Sequence, residues 1–255
     1  MASVIWRTEG LITRLTLNRP ERLNAIGETE AAQFAAAIPK IAKEKSRVVL
    51  LEGAGSSFCG GGDLAFLEAN RKRPRAALPA VMKRFYGSFL SIRALPQVTV
   101  CKMQGASFGA GLCLALACDL RAVAEDARLS FNFVKLGLAP GMAAWPLARA
   151  AFGETRARDL LFLGRVFSGK DLFAWGAASL CVPAEALDAA AASLASEVSQ
   201  RSPLALRALK KETQLDPIPA NYLAFEAKVQ TESFKGPDIA EGVAAIRERR
   251  APRFP

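Results

Sequence analysis

The chain has 255 residues, 51% of them hydrophobic, and carries a formal net charge of +10, enough for a full core in one large domain or one domain with a small appendage. It contains no histidine, which removes the commonest metal ligand and the commonest general base together. The basic runs RKRPR (71–75) and RERRAPR (247–253) have no aromatic-plus-basic motif around them, so they read as solvated faces or as recruiters of an anionic small molecule, not as nucleic-acid contacts.

The longest apolar stretch, GASFGAGLCLALACDL, is too short for a bilayer span, and MASVIWRTEG shows no apolar signal run behind a basic start. A cytoplasmic protein with no membrane association is expected. Cys59, Cys101, Cys113, Cys118 and Cys181 are scattered, with no CxxC pair. Reduced, buried thiols are the expectation, with no disulfide and no metal site.

In chain order, SVIWRTE and LITRLTLN flank Gly10 and predict a hairpin. RPERLNAIG is a loop, and residues 28–44 carry a helical apolar pattern interrupted by Pro39. RVVLLEG (47–53) is continuously apolar, as a buried parallel strand is. The glycines of FCGGGDL follow, then a helix over 63–70, a basic loop, and a helix over 77–94. QVTVCKMQG (97–105) predicts a second buried strand, FGAGLCLALACDL a helix opened by small residues, and RAVAE a strand. From residue 142 onward helices are expected nearly throughout, broken at Gly153, Gly164, Pro183, Pro203 and Pro217. Strand, glycine turn and helix thus occur twice, at 47–70 and 97–118, a succession that suits a sheet covered by helices.

Both glycine turns end a buried strand and open a helix. The first N–H groups there have no intrahelical partner and sit at the positive end of the helix dipole. Two such groups from two turns can converge on one oxygen and form an oxyanion hole made wholly of backbone. Asp63 falls where a carboxylate complements the dipole of the first helix, which gives it a structural role.

The ordered set LTLNRPERLNAI, VVLLEGAGSSFCGGGDL, MQGASFGAGLCLALACDL, FVKLGLAPG and DIAEGVAAIRERRAPRF closely resembles the enoyl-CoA hydratase/isomerase family, the crotonase superfamily, over essentially the whole chain. The resemblance implies an α/β fold: a spiral of ββα turns with two roughly perpendicular sheets over residues 1–190. A C-terminal helical trimerisation region over 191–255 completes it, giving a homotrimer or hexamer. It implies an acyl-CoA substrate, or an acyl group on the pantetheine of an acyl carrier protein, and no separate cofactor. It matches the N–H groups of Gly62 and Ala110 to the oxyanion hole; family members carry Gly at the second place, and Ala keeps the donor. Arg22, Asn24, Ala25, Gly60, Gly61 and Lys228 become candidates for binding the substrate.

The sequence departs from the family at its acids. The positions matching the two hydratase glutamates hold Cys113 and Phe133, and the position matching the isomerase acid holds Gly141. No Asp or Glu occurs over 69–118 or over 127–153. Acid–base groups contribute about 10² to 10⁴ in rate each, so crotonyl-CoA hydration is expected to be very weak or absent. Three readings stay open. The first is an enolate-stabilising enzyme of the isomerase type, whose proton carrier is sought among Glu68, Lys83, Tyr86, Cys113, Lys135 and the C-terminal carboxylates Glu226 and Glu232. The second is a decarboxylase of a carboxylated acyl thioester, of the kind that serves polyketide β-branching. The third is a paralogue that binds thioesters without turning them over.

Overall fold

A computed structural model of the chain describes residues 2–213 and 220–254. Its strands, in chain order, are β1 (Val4–Glu9), β2 (Ile12–Leu17), β3 (Val48–Gly53), β4 (Val98–Met103), β5 (Ala106–Phe108), β6 (Leu120–Ala124), β7 (Arg128–Ser130), β8 (Phe167–Ser168) and β9 (Leu180–Val182). Six form one sheet in the order β1-β2-β3-β4-β6-β9, and three form a second in the order β5-β7-β8. The hairpin β1-β2 is antiparallel, with Val4 opposite Leu17, and the rest of the large sheet is parallel. Strand β4 is buried along its whole length and β3 nearly so, hence their unbroken apolar runs.

The helices are α1 (Glu28–Ile41), α2 (Leu64–Lys72), α3 (Leu78–Leu90), α4 (Ala110–Leu116), α5 (Ala144–Leu163), α6 (Gly169–Ala174), α7 (Leu187–Ser199), α8 (Pro203–Thr213), α9 (Ala220–Lys235) and α10 (Asp238–Arg247). Helix α7 packs on strands β3, β4 and β6 of the large sheet, while α3 packs against both α1 and α9. Phe34 of α1 meets Phe89 of α3 with centroids 5.2 Å apart. Phe85 stacks on Phe66 of α2 at 4.6 Å and meets Tyr86 edge-on at 6.3 Å. Such ring pairs add about 0.5–1.5 kcal/mol beyond their buried area. They carry rigidity from the core to the place where Tyr86 is presented.

Several elements differ from the sequence expectations. Pro39 lies inside α1 instead of interrupting it; it is exposed, on the solvent side of the helix, where a lost backbone bond is rehydrated. Helix α5 runs through Gly153, which kinks it at φ +72°. Pro203 opens α8 instead of breaking a helix, because proline fits the first turn of a helix. Two short strands, β8 and β9, stand in the stretch expected to be helical, and β5 and β7 are further short pieces. Pro217 lies outside the described residues. Among the described residues no helix is long and apolar enough to cross a membrane.

Candidate active site

The first glycine turn is an extended segment laid against two neighbours. Cys59 pairs with Ser107 of β5: its N–H donates to the Ala106 carbonyl (3.0 Å) and its carbonyl accepts from Phe108 N–H (3.0 Å). Two residues later the Ile26 N–H donates to the Gly61 carbonyl (2.8 Å), and Asp63 N–H donates to the Ile26 carbonyl (2.9 Å). Successive residues of an extended chain point their N–H groups to opposite sides. With residues 61 and 63 bound to Ile26, the N–H of Gly62 faces the other way. Gly61 has φ +94°, and a side chain there would place Cβ 2.6 Å from the Phe108 carbonyl oxygen and 3.9 Å from the Ala110 nitrogen. Only glycine allows that approach. Asp63 then caps α2, its carboxylate accepting from Ala65 N–H (2.8 Å) and pairing with Arg19 (3.2 Å).

The second turn is built by Gly109, at φ +49° and ψ −114°, whose N–H donates to the Ser130 carbonyl of β7 (2.8 Å). Ala110 is the first residue of α4, where the helix supplies its N–H no partner. Among the described residues neither the Gly62 nor the Ala110 N–H donates to a protein group. Both residues line one cavity of about 50 Å³, together with Phe66, Tyr86, Phe133, Gly141, Met142 and Gln230. The two open donors therefore belong to residues that line one small, largely apolar space.

The wall opposite carries the polar groups. The Tyr86 hydroxyl donates to Gln230 Oε1 (2.5 Å), and Gln230 Nε2 donates to the Ala139 carbonyl (2.8 Å). A Cβ on Gly141 would lie 2.6 Å from the Tyr86 hydroxyl and 2.7 Å from Gln230 Nε2. The position matching the isomerase acid is thus filled by this pair, from α3 and α9. Burial pushes the Tyr86 hydroxyl well above its ordinary value, so it serves as a neutral donor.

The other candidate acid–base residues are placed as follows. Cys113 is fully buried on α4, its thiol directed at the Gly141 carbonyl (3.8 Å); burial first, and then the nearby Glu226, pushes its pKa well up, against a thiolate. Glu68 lies outside the cavity lining and pairs with Arg247 at 2.5 Å. Lys135 is exposed, with its stem over Gly164, and Lys83 is exposed on α3. Glu232 is held by Arg75 on the surface.

Glu226 is buried at 3% exposure on α9. Its Oε2 accepts from Ala143 N–H (2.7 Å), and the nearby Tyr222 hydroxyl and Ala144 N–H act with that bond to lower its pKa. Its Oε1 is buried without a partner among the described residues. Burial raises its pKa to about 7 against these lowering bonds.

The candidate binding residues surround the first turn. Asn24, buried at φ +54°, accepts from Arg19 N–H (2.8 Å) and donates to the Ala54 and Ser57 carbonyls (2.8 Å each). It clamps the loop; its carbonyl oxygen accepts from the Cys59 thiol (3.2 Å). Ala25 N–H bonds to the Arg22 carbonyl (3.0 Å), and Gly60 N–H to that of Leu23 (2.7 Å). Arg22 and Lys228 are exposed and free to meet an anion in solution. Sequence reasoning missed Gln230. The signal was present: Glu226, Gln230 and Phe234 recur at four-residue spacing on one helix face.

The enoyl-CoA hydratase/isomerase family model matches residues 7–255. The 1,2-epoxyphenylacetyl-CoA isomerase of Escherichia coli (strain K12) is 32% identical over all of this chain and 98% of that relative. Human enoyl-CoA hydratase domain-containing protein 2, mitochondrial, is 32% identical over 95% of this chain and 85% of its own. A crystal structure of an enoyl-CoA hydratase from Mycobacterium avium subsp. paratuberculosis K-10 superposes with TM-score 0.85 at 28% identity, over 100% of this chain and 99% of that one. The two sheets, the C-terminal helices and the residues 7–255 match agree on one assignment: the chain belongs to the enoyl-CoA hydratase/isomerase family of the crotonase superfamily.

Proposed function

We propose that the protein acts on an acyl-CoA through an enolate held in a backbone oxyanion hole, in a reaction of the isomerase type. The observation that carries this is the pair of N–H groups of Gly62 and Ala110, unpartnered among the described residues, on two residues that line one cavity. When a base takes a proton beside a thioester, charge grows on the carbonyl oxygen. Donors fixed in advance hold that charge without reorganising, and losing one costs about 10² to 10³ in rate.

Hydration fits the cavity poorly. The positions of both hydratase glutamates are apolar or buried, Phe133 at 7% exposure and Cys113 at none, so no carboxylate there can position a water. A double-bond shift needs one proton carrier only. The similarity to a relative named as an isomerase supports the same side. The exposed Arg22 near the Asn24–Ala25 loop, and Lys228, are the cations offered to the CoA phosphates. The exposed Leu204, Leu209 and Phe225 of α8 and α9 suit packing against further copies in a trimer or hexamer, which light scattering on the purified protein checks.

A second reading has one observation of its own. No carboxylate lines the cavity among the described residues, so a carboxylated acyl thioester, on CoA or a carrier protein, enters without repulsion and can lose CO₂ to the same enolate. Incubation with enoyl-, malonyl- and glutaconyl-type thioesters, read by mass spectrometry and chromatography, separates the two. A shifted double bond at unchanged mass supports isomerisation, and loss of CO₂ supports decarboxylation. Tight binding with no product from any of them removes both and leaves a thioester-binding protein.

A further inference from the structure

The isomerase reading lacks a proton carrier at any position where the family places one, and this inference rests on that reading. We propose that Glu226, reaching in from the C-terminal helix α9, is the catalytic base and acid of the double-bond shift.

Three observations converge on it. First, Gln230 and Phe234, one and two turns further along α9, both line the cavity. Residues four apart share a helix face, so Glu226 is turned to the same side. Second, one carboxylate oxygen is fixed and the other is idle. Oε2 takes the Ala143 N–H, while Oε1 is buried with no donor among the described residues. A buried carboxylate oxygen without a partner is costly, and a structural latch needs only the oxygen that is already bonded. Third, what separates it from the cavity is slight. Met142, the neighbour of Ala143, lines the cavity. Methionine is unbranched and adaptable, so an acyl chain that enters past Met142 meets the idle oxygen.

The surroundings suit the task. The titratable groups facing Glu226 are Cys113 from α4, Tyr86 from α3 and Tyr222 on its own helix, and burial raises all three. They stay neutral where the carboxyl, raised by burial to about 7, titrates. A carrier that holds and releases protons near neutrality is the most effective kind.

The step balances without any co-reactant. With a 3-enoyl thioester, the Glu226 carboxylate takes a proton from C2. The C–H electron pair moves toward the carbonyl, and the dienolate oxygen is held by the Gly62 and Ala110 N–H groups. The carboxylic acid then returns the proton to C4, leaving the double bond between C2 and C3 and the carboxylate restored.

The test uses purified full-length protein with trans-3-hexenoyl-CoA, followed by the absorbance of the conjugated product. Glu226→Gln keeps an oxygen for the Ala143 N–H and removes the exchangeable proton. We expect kcat to fall by about 10² or more, with KM unchanged and the thermal midpoint no lower than that of wild type. Tyr222→Phe removes a neighbouring hydroxyl that lowers the Glu226 pKa, so the acidic limb of the kcat/KM profile should move to higher pH. The proposal is overturned if E226Q isomerises within threefold of wild type, or if the Y222F limb stays in place. Should E226Q lose its thermal midpoint, the Y222F profile decides alone. Wild-type protein that binds the thioester but neither shifts the double bond nor exchanges C2 protons in D₂O removes the isomerase reading and this assignment with it. A competent wild type with an equally competent E226Q removes this assignment only.

Discussion

Gly61→Ala and Gly62→Ala, adjacent and chemically identical changes, should behave very differently. At Gly61 the backbone sits at φ +94°, and the new Cβ would lie 2.6 Å from the Phe108 carbonyl oxygen, far inside contact distance. The positive φ costs about 1–2 kcal/mol for a residue with a side chain. The clash is with backbone, so the segment must move by several tenths of an ångström or more. The Gly62 N–H is in the next peptide and moves with it. A misplacement of about 1 Å can cost about 10² in rate. At Gly62 a Cβ would find its nearest neighbour, the Leu67 Cδ2 methyl, at 3.5 Å, which is ordinary contact, and the N–H is retained. We therefore expect G61A to lose about 2 kcal/mol or more in urea unfolding, with kcat down about 10². G62A should keep its stability within about 0.5 kcal/mol. The assay is the product panel above together with urea titration. A G61A protein as active as wild type would refute the claim that this turn positions a catalytic amide.

Other consequences can be checked on the same preparation. Glu226 has its carboxyl raised from 4.5 to about 7 in the folded chain. The unfolded chain releases that proton first, so the group lowers stability increasingly as pH rises from about 4.5 to 7. At about 1.4 kcal/mol per unit this reaches about 3 kcal/mol, and E226Q, which cannot titrate, should gain on wild type by that order between pH 5 and pH 8 in urea titrations. Asp63→Ala removes the cap of α2 and one partner of Arg19, and should cost about 1 kcal/mol by the same measurement. Cys59, Cys101 and Cys113 are fully buried, with burial raising each pKa, that of Cys59 to about 12. Half-buried Cys181 should therefore react first with a thiol reagent in the native state, and those three only on unfolding.

What could be read from the sequence follows physical rules about range. Strands β3 and β4 announced themselves because a strand covered on both faces must be apolar throughout. Asp63 was legible because helix starts have few chemical solutions. The two- and three-residue strands β5, β7, β8 and β9 were not, since a period of two needs more residues than that to show. Pro39 misled because its effect depends on which side of α1 it faces, and that is set by tertiary packing. The polar wall of the cavity was the hardest part. Tyr86 and Gln230 are 144 residues apart in sequence, and no local pattern says that they meet at the space left by Gly141. Glu226 stood among the candidate carriers, but only the fold separates it from Glu232, six positions later on the same helix, which faces Arg75 and water.

The crossing of the two turns at Cys59 and Ser107 has an outcome for how the protein fails. Gly111 rests so close to the Cys59 carbonyl that a Cβ there would come within 2.4 Å, and the ladder bonds of Ala106 and Phe108 tie the two segments together. Neither strand-end can fray while its mate stays put. Heat or denaturant should leave the geometry of the two turns intact until the sheets give way, so loss of the proposed activity and loss of fold should trace one shared transition.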